Sequence, residues 1–184
     1  MAVVFPSLNS SEVWDDEYAR GHWERIHNES EFGCYALILA HLWRKGRSPS
    51  VLDVGCGEGR LLSIMNGFAR SEYVGVDLST EAIQRARALD VPDASFAVAW
   101  AEHFEAERRF DVIVFNESLY DLPSPEQVVA RYRSMLAPDG MIVISMFRCF
   151  SARLIWRKIA RKFPFTHQER VTNQLGHAWD VRVI

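Results

Sequence analysis

The chain has 184 residues, room for one domain of ordinary size and not for a separate substrate domain. Its 48% hydrophobic and 24% charged residues are those of an ordinary soluble globular protein, not of a disordered or fibrous one. A formal net charge of -3 argues against a general nucleic-acid binder, which is usually basic.

Three cysteines, Cys34, Cys56 and Cys149, are widely spaced in apolar or glycine-loop surroundings and show no metal-ligand spacing. They read as reduced core thiols of a cytoplasmic protein. The first residues, Met1 to Pro6, lack the basic region and long apolar run of a secretory signal. No apolar stretch approaches the ~18 residues needed to span a membrane.

Residues 1–10 read as a tail, and Asn9-Ser10-Ser11 is placed to cap a first helix. Glu12 to His27 is dense in aromatic and polar groups, including Trp14, Tyr18, His22, Trp23 and His27. Packing of an amphipathic helix through Trp14, Tyr18 and Ile26 is one reading of this segment. From Glu31 to Lys45, Phe32, Tyr35, Leu39 and Leu42 recur at helical intervals, with Ile38 and Trp43 widening the stripe. Gly46 to Pro49 ends that helix.

Val51-Leu52-Asp53-Val54 then runs as a strand into Gly55-Cys56-Gly57-Glu58-Gly59, and a helical pattern resumes with Leu61, Leu62 and Met65. Glycine is required where the backbone takes positive φ or where a Cβ would collide with a ligand, so the loop reads as a ligand cradle. A dinucleotide fingerprint needs its third glycine at position 60, where Arg60 stands. The spacing present, with Asp53 before it, resembles motif I of the class I S-adenosylmethionine-dependent methyltransferases of small-molecule type. About 20 residues on, where a nucleotide-binding unit places its ribose carboxylate, Asp77 ends the strand Tyr73-Val74-Gly75-Val76, followed by Leu78 and Ser79.

The resemblance implies a loop of Asp53, Gly55, Cys56, Gly57 and Gly59 around the amino-acid end of S-adenosylmethionine, with Asp77 and Leu78 at the ribose. It also implies that the N-terminal segment, 1–46, is a helical cap folding over the cofactor, with Tyr18 and Trp23 as the rings to watch. Ser79 is placed to cap a helix through Leu89, and Ser95 to Ala99 reads as a third strand. The family commonly continues with an acid, Ala and a second acid; here the run is Trp100-Ala101-Glu102. Trp100 stacking on adenine, the Ala101 backbone at the ring edge, Glu102 replacing the absent acid, and Trp100 as a plain core residue all stay open.

Phe110 to Phe115 is an uninterrupted apolar strand of the kind buried on both faces of a parallel sheet. Asn116, Glu117 and Tyr120 follow it, where open α/β sheets bind ligands. The segment resembles motif IV of the small-molecule enzymes and lacks the signature of the amino-methylating nucleic-acid enzymes. Ser124-Pro125 reads as a helix start, Ala137 to Gly140 as a turn and Met141 to Met146 as a fifth strand. Ser151 to Lys162 is a helix with a basic face, and residues 168–184 form a hairpin turning near Leu175-Gly176.

Together these imply an α/β fold: a doubly wound, mostly parallel seven-stranded sheet with a C-terminal antiparallel hairpin, one domain over 1–184. The function implied is methyl transfer from S-adenosylmethionine, leaving S-adenosylhomocysteine, to an oxygen or nitrogen of a small molecule, with no metal. Glu117, Tyr120 and His22 are the candidate catalytic residues, His27 and His103 are further candidate bases, and Asn116 sits beside the cofactor. An acceptor already deprotonated needs no base. The alternatives are an inactive cofactor-binding scaffold, an RNA methyltransferase resting on the basic helix, and a nucleotide-dependent oxidoreductase. A homodimer in which a neighbouring chain encloses the pocket is the natural remedy for so small a cap.

Overall fold

The computed structural model describes residues 10–21, 31–46, 48–65 and 67–184. The apolar runs between turn residues become five parallel strands, β1 (Ser50–Val54), β2 (Glu72–Asp77), β3 (Ala94–Val98), β4 (Phe110–Asn116) and β5 (Leu136–Phe147). The C-terminal hairpin is β6 (His167–Thr172) and β7 (Ala178–Val183), turning through Gly176 at φ +80°. The sheet order is β3-β2-β1-β4-β5-β7-β6, with β7 antiparallel to both β5 and β6. The sequence expectation of a doubly wound, mostly parallel seven-stranded sheet is met.

The helices are α1 (Ser11–Ala19), α2 (Phe32–Lys45), α3 (Arg60–Ile64), α4 (Thr80–Arg87), α5 (Pro125–Arg133) and α6 (Phe150–Ala160). A 3-10 turn spans Leu119–Asp121. Side chains of β4 alternate between two cores. Val112 and Val114 join Val51, Tyr73 and α2, whereas Ile113 and Phe115 join Leu52, Val54, Tyr132 of α5 and Trp156 of α6. Each fully buried aliphatic or aromatic side chain contributes roughly 1.5–3 kcal/mol, which is why so apolar a strand occupies the middle of the sheet. No described helix is long and apolar enough to cross a membrane.

Several local expectations are corrected. Helix α2 buries Cys34, Tyr35, Ile38, His41 and Leu42, leaving Phe32 and Trp43 at 48% and 74% exposure. Nearly every residue there is apolar, so hydrophobicity alone left the helix phase ambiguous; His41 enters the buried stripe because Glu169 of β6 meets its Nε2 at 3.2 Å. Ser124 precedes α5 in a left-handed conformation and makes no side-chain cap bond, so Pro125 alone carries the start signal. Strand β5 begins at Leu136, paired with Phe110, and the expected turn at 137–140 is an excursion within the strand with Asp139 at φ +62°. Cys149 is exposed, its sulfur accepting the Ala152 N–H at the start of α6, so only Cys34 and Cys56 are core thiols. On α6, Leu154 is 41% exposed, and Ala152, Ile155, Trp156 and Ile159 form the buried face.

Strands β2 and β3 lie on one side of β1, and β4 and β5 lie on the other. The connections therefore part above β1 and β4, leaving a crevice beyond their carboxyl ends, where open α/β sheets bind ligands.

Candidate functional site

The floor of the crevice is the glycine loop between β1 and α3. Gly55 and Gly57 have φ of +76° and +52°, a region that favours glycine. A Cβ on Gly55 would lie 2.4 Å from Cβ of Ser118, and one on Gly57 would lie 2.6 Å from the Tyr18 hydroxyl. The sequence suggested a ligand pressed against these positions; the structure places protein there. Ser118, whose Oγ donates to the Val54 carbonyl at 2.6 Å, brings the loop after β4 onto β1, and Tyr18 brings α1 onto the loop. Gly59 precedes α3 in the same left-handed conformation.

The loop is anchored to β2. The N–H groups of Gly55 and Cys56 donate to the Val76 carbonyl at 2.8 and 3.1 Å. Asp77 accepts the Gly57 N–H through Oδ2 at 2.8 Å and the Ser79 N–H through Oδ1 at 2.9 Å. Burial raises its pKa above the usual carboxylate range, against those backbone donors. With the Leu78 N–H as a third backbone donor, the carboxylate keeps one further lone pair for a ligand hydroxyl. Beneath the loop, Asp53 is buried and accepts the Tyr73 hydroxyl through Oδ2, while its Oδ1 has no partner among the described residues. Burial pushes its pKa up to about 7, the Tyr73 bond pulling the other way. Burial likewise raises the Cys56 thiol, which leaves it an inert, uncharged wall of the site.

The cleft above this floor opens to solvent. One end is lined by Leu78, Trp100, Ala101 and Glu102, the other by Asn116, Glu117, Asp121 and Leu122. Trp100 is 42% exposed, which removes the plain core reading and sets its ring at the rim. Glu117, at φ +57°, accepts the Ser145 hydroxyl at 3.1 Å on Oε1, and the Tyr120 hydroxyl at 2.6 Å and the Phe147 N–H at 3.0 Å on Oε2. Burial raises its pKa, opposed by those three donors. Tyr120 does not line the cleft, so its hydroxyl reaches the site through Glu117. Asp121 stands at the same end with its pKa pushed up to about 6 by burial.

Helix α1 crosses the cleft with Trp14 and Tyr18 facing it. It is pinned by Asp15, whose Oδ1 accepts the Ser79 hydroxyl at 2.5 Å and the Glu81 N–H at 3.1 Å at the start of α4. Helix α2 instead packs flat on the sheet. His22, Trp23 and His27 lie outside the described residues. His103 is exposed and is not in the cleft wall.

Sequence reasoning missed Asp15, Glu31, Tyr35, Arg60 and Asp121. Arg60 was legible only as a failed glycine, yet it lines the cleft. Glu31 was read as the edge of a helix, but it is buried, and burial and the nearby Glu117 push its pKa up to about 7 against the pull of Arg60. Among the described residues no group of three or more His, Cys, Asp or Glu side chains is arranged to hold a metal.

A doubly wound sheet with a glycine loop after β1, an acid closing β2 and a cleft at the strand reversal defines a nucleoside-cofactor-binding α/β protein. More narrowly, the chain belongs to the methyltransferase-domain family, whose model matches residues 26–182. Trans-aconitate 2-methyltransferase of Methylobacterium radiotolerans is 33% identical over 96 residues, covering 52% of this chain and 36% of that protein. A ubiquinone biosynthesis O-methyltransferase of Neisseria meningitidis is 33% identical over 105 residues, covering 54% and 44%. The chain thus spans less than half of the length of these relatives. In fold it resembles the N-methyltransferase NodS of Bradyrhizobium japonicum, solved with S-adenosyl-L-homocysteine, at a TM-score of 0.74 and 19% identity, covering 88% of this chain and 89% of that one. It resembles the 1,6-didemethyltoxoflavin-N1-methyltransferase of Burkholderia thailandensis at 0.75 and 22%, covering 94% and 85%.

Proposed function

We propose that this protein transfers the methyl group of S-adenosylmethionine to an oxygen or nitrogen nucleophile of a small molecule. The observation that carries this reading is the cleft over the glycine loop, with Asp77 held at one edge and Glu117 at the other. The residues fit the cofactor. Asp77 keeps a lone pair for a ribose hydroxyl, Asp53 offers a buried oxygen that has no partner among the described residues, and the carboxylate-rich wall suits a ligand carrying sulfonium and ammonium charges.

When bound, the cofactor supplies an activated methyl group on sulfur, so the protein's task is to position the acceptor. Positioning can supply ~7–11 kcal/mol in favourable cases. Tyr18 and Trp14 exclude water from above, and we assign α1 the part of a cap. Trp100 and Glu102 border the adenine end, with Ala101 between them, and Leu78 supports the ribose. Asn116 and Glu117 face the acceptor. Glu117 is oriented by Ser145, Tyr120 and the Phe147 N–H, and its raised pKa lets Oε1 take a proton from a hydroxyl or ammonium acceptor. Tyr120 is a positioning residue in this scheme.

Calorimetric titration of S-adenosylmethionine and S-adenosylhomocysteine, with NADH as control, tests the reading. Micromolar binding of the first two, lost in Asp77→Ala, supports it, and transfer of a tritiated methyl group then finds the acceptor. No binding by the folded, ligand-free protein overturns it.

A further inference from the structure

Among the described residues Arg60 is the sole cation lining the cleft, against five acids, Asp53, Asp77, Glu102, Glu117 and Asp121. Its Nε is buried and has no hydrogen-bond partner among the described residues. Its guanidinium stands 5.8 Å from the centre of the Phe32 ring at the start of α2, and it forms no ion pair with any described acid. Phe32 begins α2, and the Cys34 sulfur of the same helix lies 4.0 Å from Oδ1 of Asn116, so the guanidinium lies toward the Asn116–Glu117 end of the cleft. That end, beyond β4, is three strands along the sheet from β3, which Trp100 follows.

Burying a guanidinium donor without a partner is costly, and proteins rarely leave one so unless a ligand completes it. We propose that Arg60 holds the carboxylate of the methionyl end of S-adenosylmethionine; this rests on the function proposed above. The cofactor carries one anionic group and two cationic ones. The five acids can serve the cations, and among the described side chains lining the cleft Arg60 is the one that carries charge opposite to the anion. A planar guanidinium meets a carboxylate with two parallel N–H bonds, and its place one residue after Gly59 sets it beside the loop that would carry this end of the ligand. The Phe32 ring, 5.8 Å from the guanidinium, lies within cation–π reach of it.

The test compares two ligands on three proteins by calorimetry. S-adenosylhomocysteine carries the carboxylate; 5′-methylthioadenosine keeps the adenosine and thioether and lacks the amino-acid end. In Arg60→Met, S-adenosylhomocysteine should weaken about 10- to 100-fold, the range for a lost charge-assisted bond. The change for 5′-methylthioadenosine should stay within about twofold. Arg60→Lys, which keeps the charge and loses the fork, should fall between. Equal weakening of both ligands would show that Arg60 only shapes the loop, and unchanged S-adenosylhomocysteine affinity would assign it to another ligand; either overturns the proposal. Binding of neither ligand by wild type would remove the cofactor reading itself, a result distinct from both.

Discussion

The two ends of the cleft are built by different means. At the nucleoside end, the carboxylate of Asp77 is fixed by backbone N–H groups of Gly57 and Ser79, all within about a βαβ unit's length of the glycine loop. At the acceptor end, Glu117 is fixed by Tyr120, by Ser145 and the Phe147 N–H from β5, and it is opposed by Glu31 from before β1. One end is a local motif and the other a meeting of distant segments. On the function proposed above, the first recognises a constant ligand part with backbone geometry, and the second can be rebuilt by side-chain changes without disturbing the first.

That contrast can be broken by mutation. Asp77→Ala should weaken S-adenosylhomocysteine about 100-fold, because both the ribose acceptor and the anchor of the Gly57 N–H go together; loss below about threefold in calorimetry would separate Asp77 from the ligand. Glu117→Gln should lower methyl transfer about 10- to 100-fold while S-adenosylhomocysteine affinity stays within about twofold. If affinity falls in step with turnover, the two ends are not independent.

The pH response sharpens the comparison from below the loop. The pKa of Asp53 is raised from 3.8 to about 7 in the folded chain, so the folded state holds a proton the unfolded state has released across that range. Its contribution is therefore present at low pH and lost as pH rises toward and through 7. Unfolding by urea should show stability falling by roughly 2 kcal/mol from pH 5 to 8 on this account, and Asp53→Asn should flatten the decline. Glu31, also raised to about 7, adds in the same direction, so an unchanged slope in Asp53→Asn would pass the effect to Glu31.

Smaller effects follow at the cap and rim. Gly57→Ala should cost about 1–2 kcal/mol of stability, through positive φ and collision with the Tyr18 hydroxyl, and Tyr18→Phe in the same chain should restore part of it in thermal melts. Trp100→Ala should weaken S-adenosylhomocysteine by only about two- to fivefold, since its ring is half open to solvent. A larger loss would mean that stacking on the ligand shields the ring.

The strands and the loop were legible because their signals are short-range: alternating or continuous apolar runs, glycines at every second position, an acid at a strand end. Where patterns were degenerate, reading failed. The phase of α2 was hidden because apolar residues surround it on all sides, and the buried His41 is explained by Glu169, which lies 128 residues away in sequence. Trp100 looked equally like core and ligand platform until its position at the rim was seen. Arg60 was discounted for not being glycine, and its place in the cleft wall is a property of packing, not of spacing.

What the amino-acid sequence determined alone is the order of strands and helices, the glycine loop and the pairing of that loop with Asp77, because each depends on residues joined by a strand, a turn or one crossover. What the tertiary structure decided is which groups meet in the cleft: Tyr18 over Gly57, Ser118 against Gly55, Glu31 near Glu117, and Arg60 amid five acids. Those encounters depend on how the helices dock on the sheet. Docking is set by burial summed over many side chains, to which no single stretch of sequence holds the key.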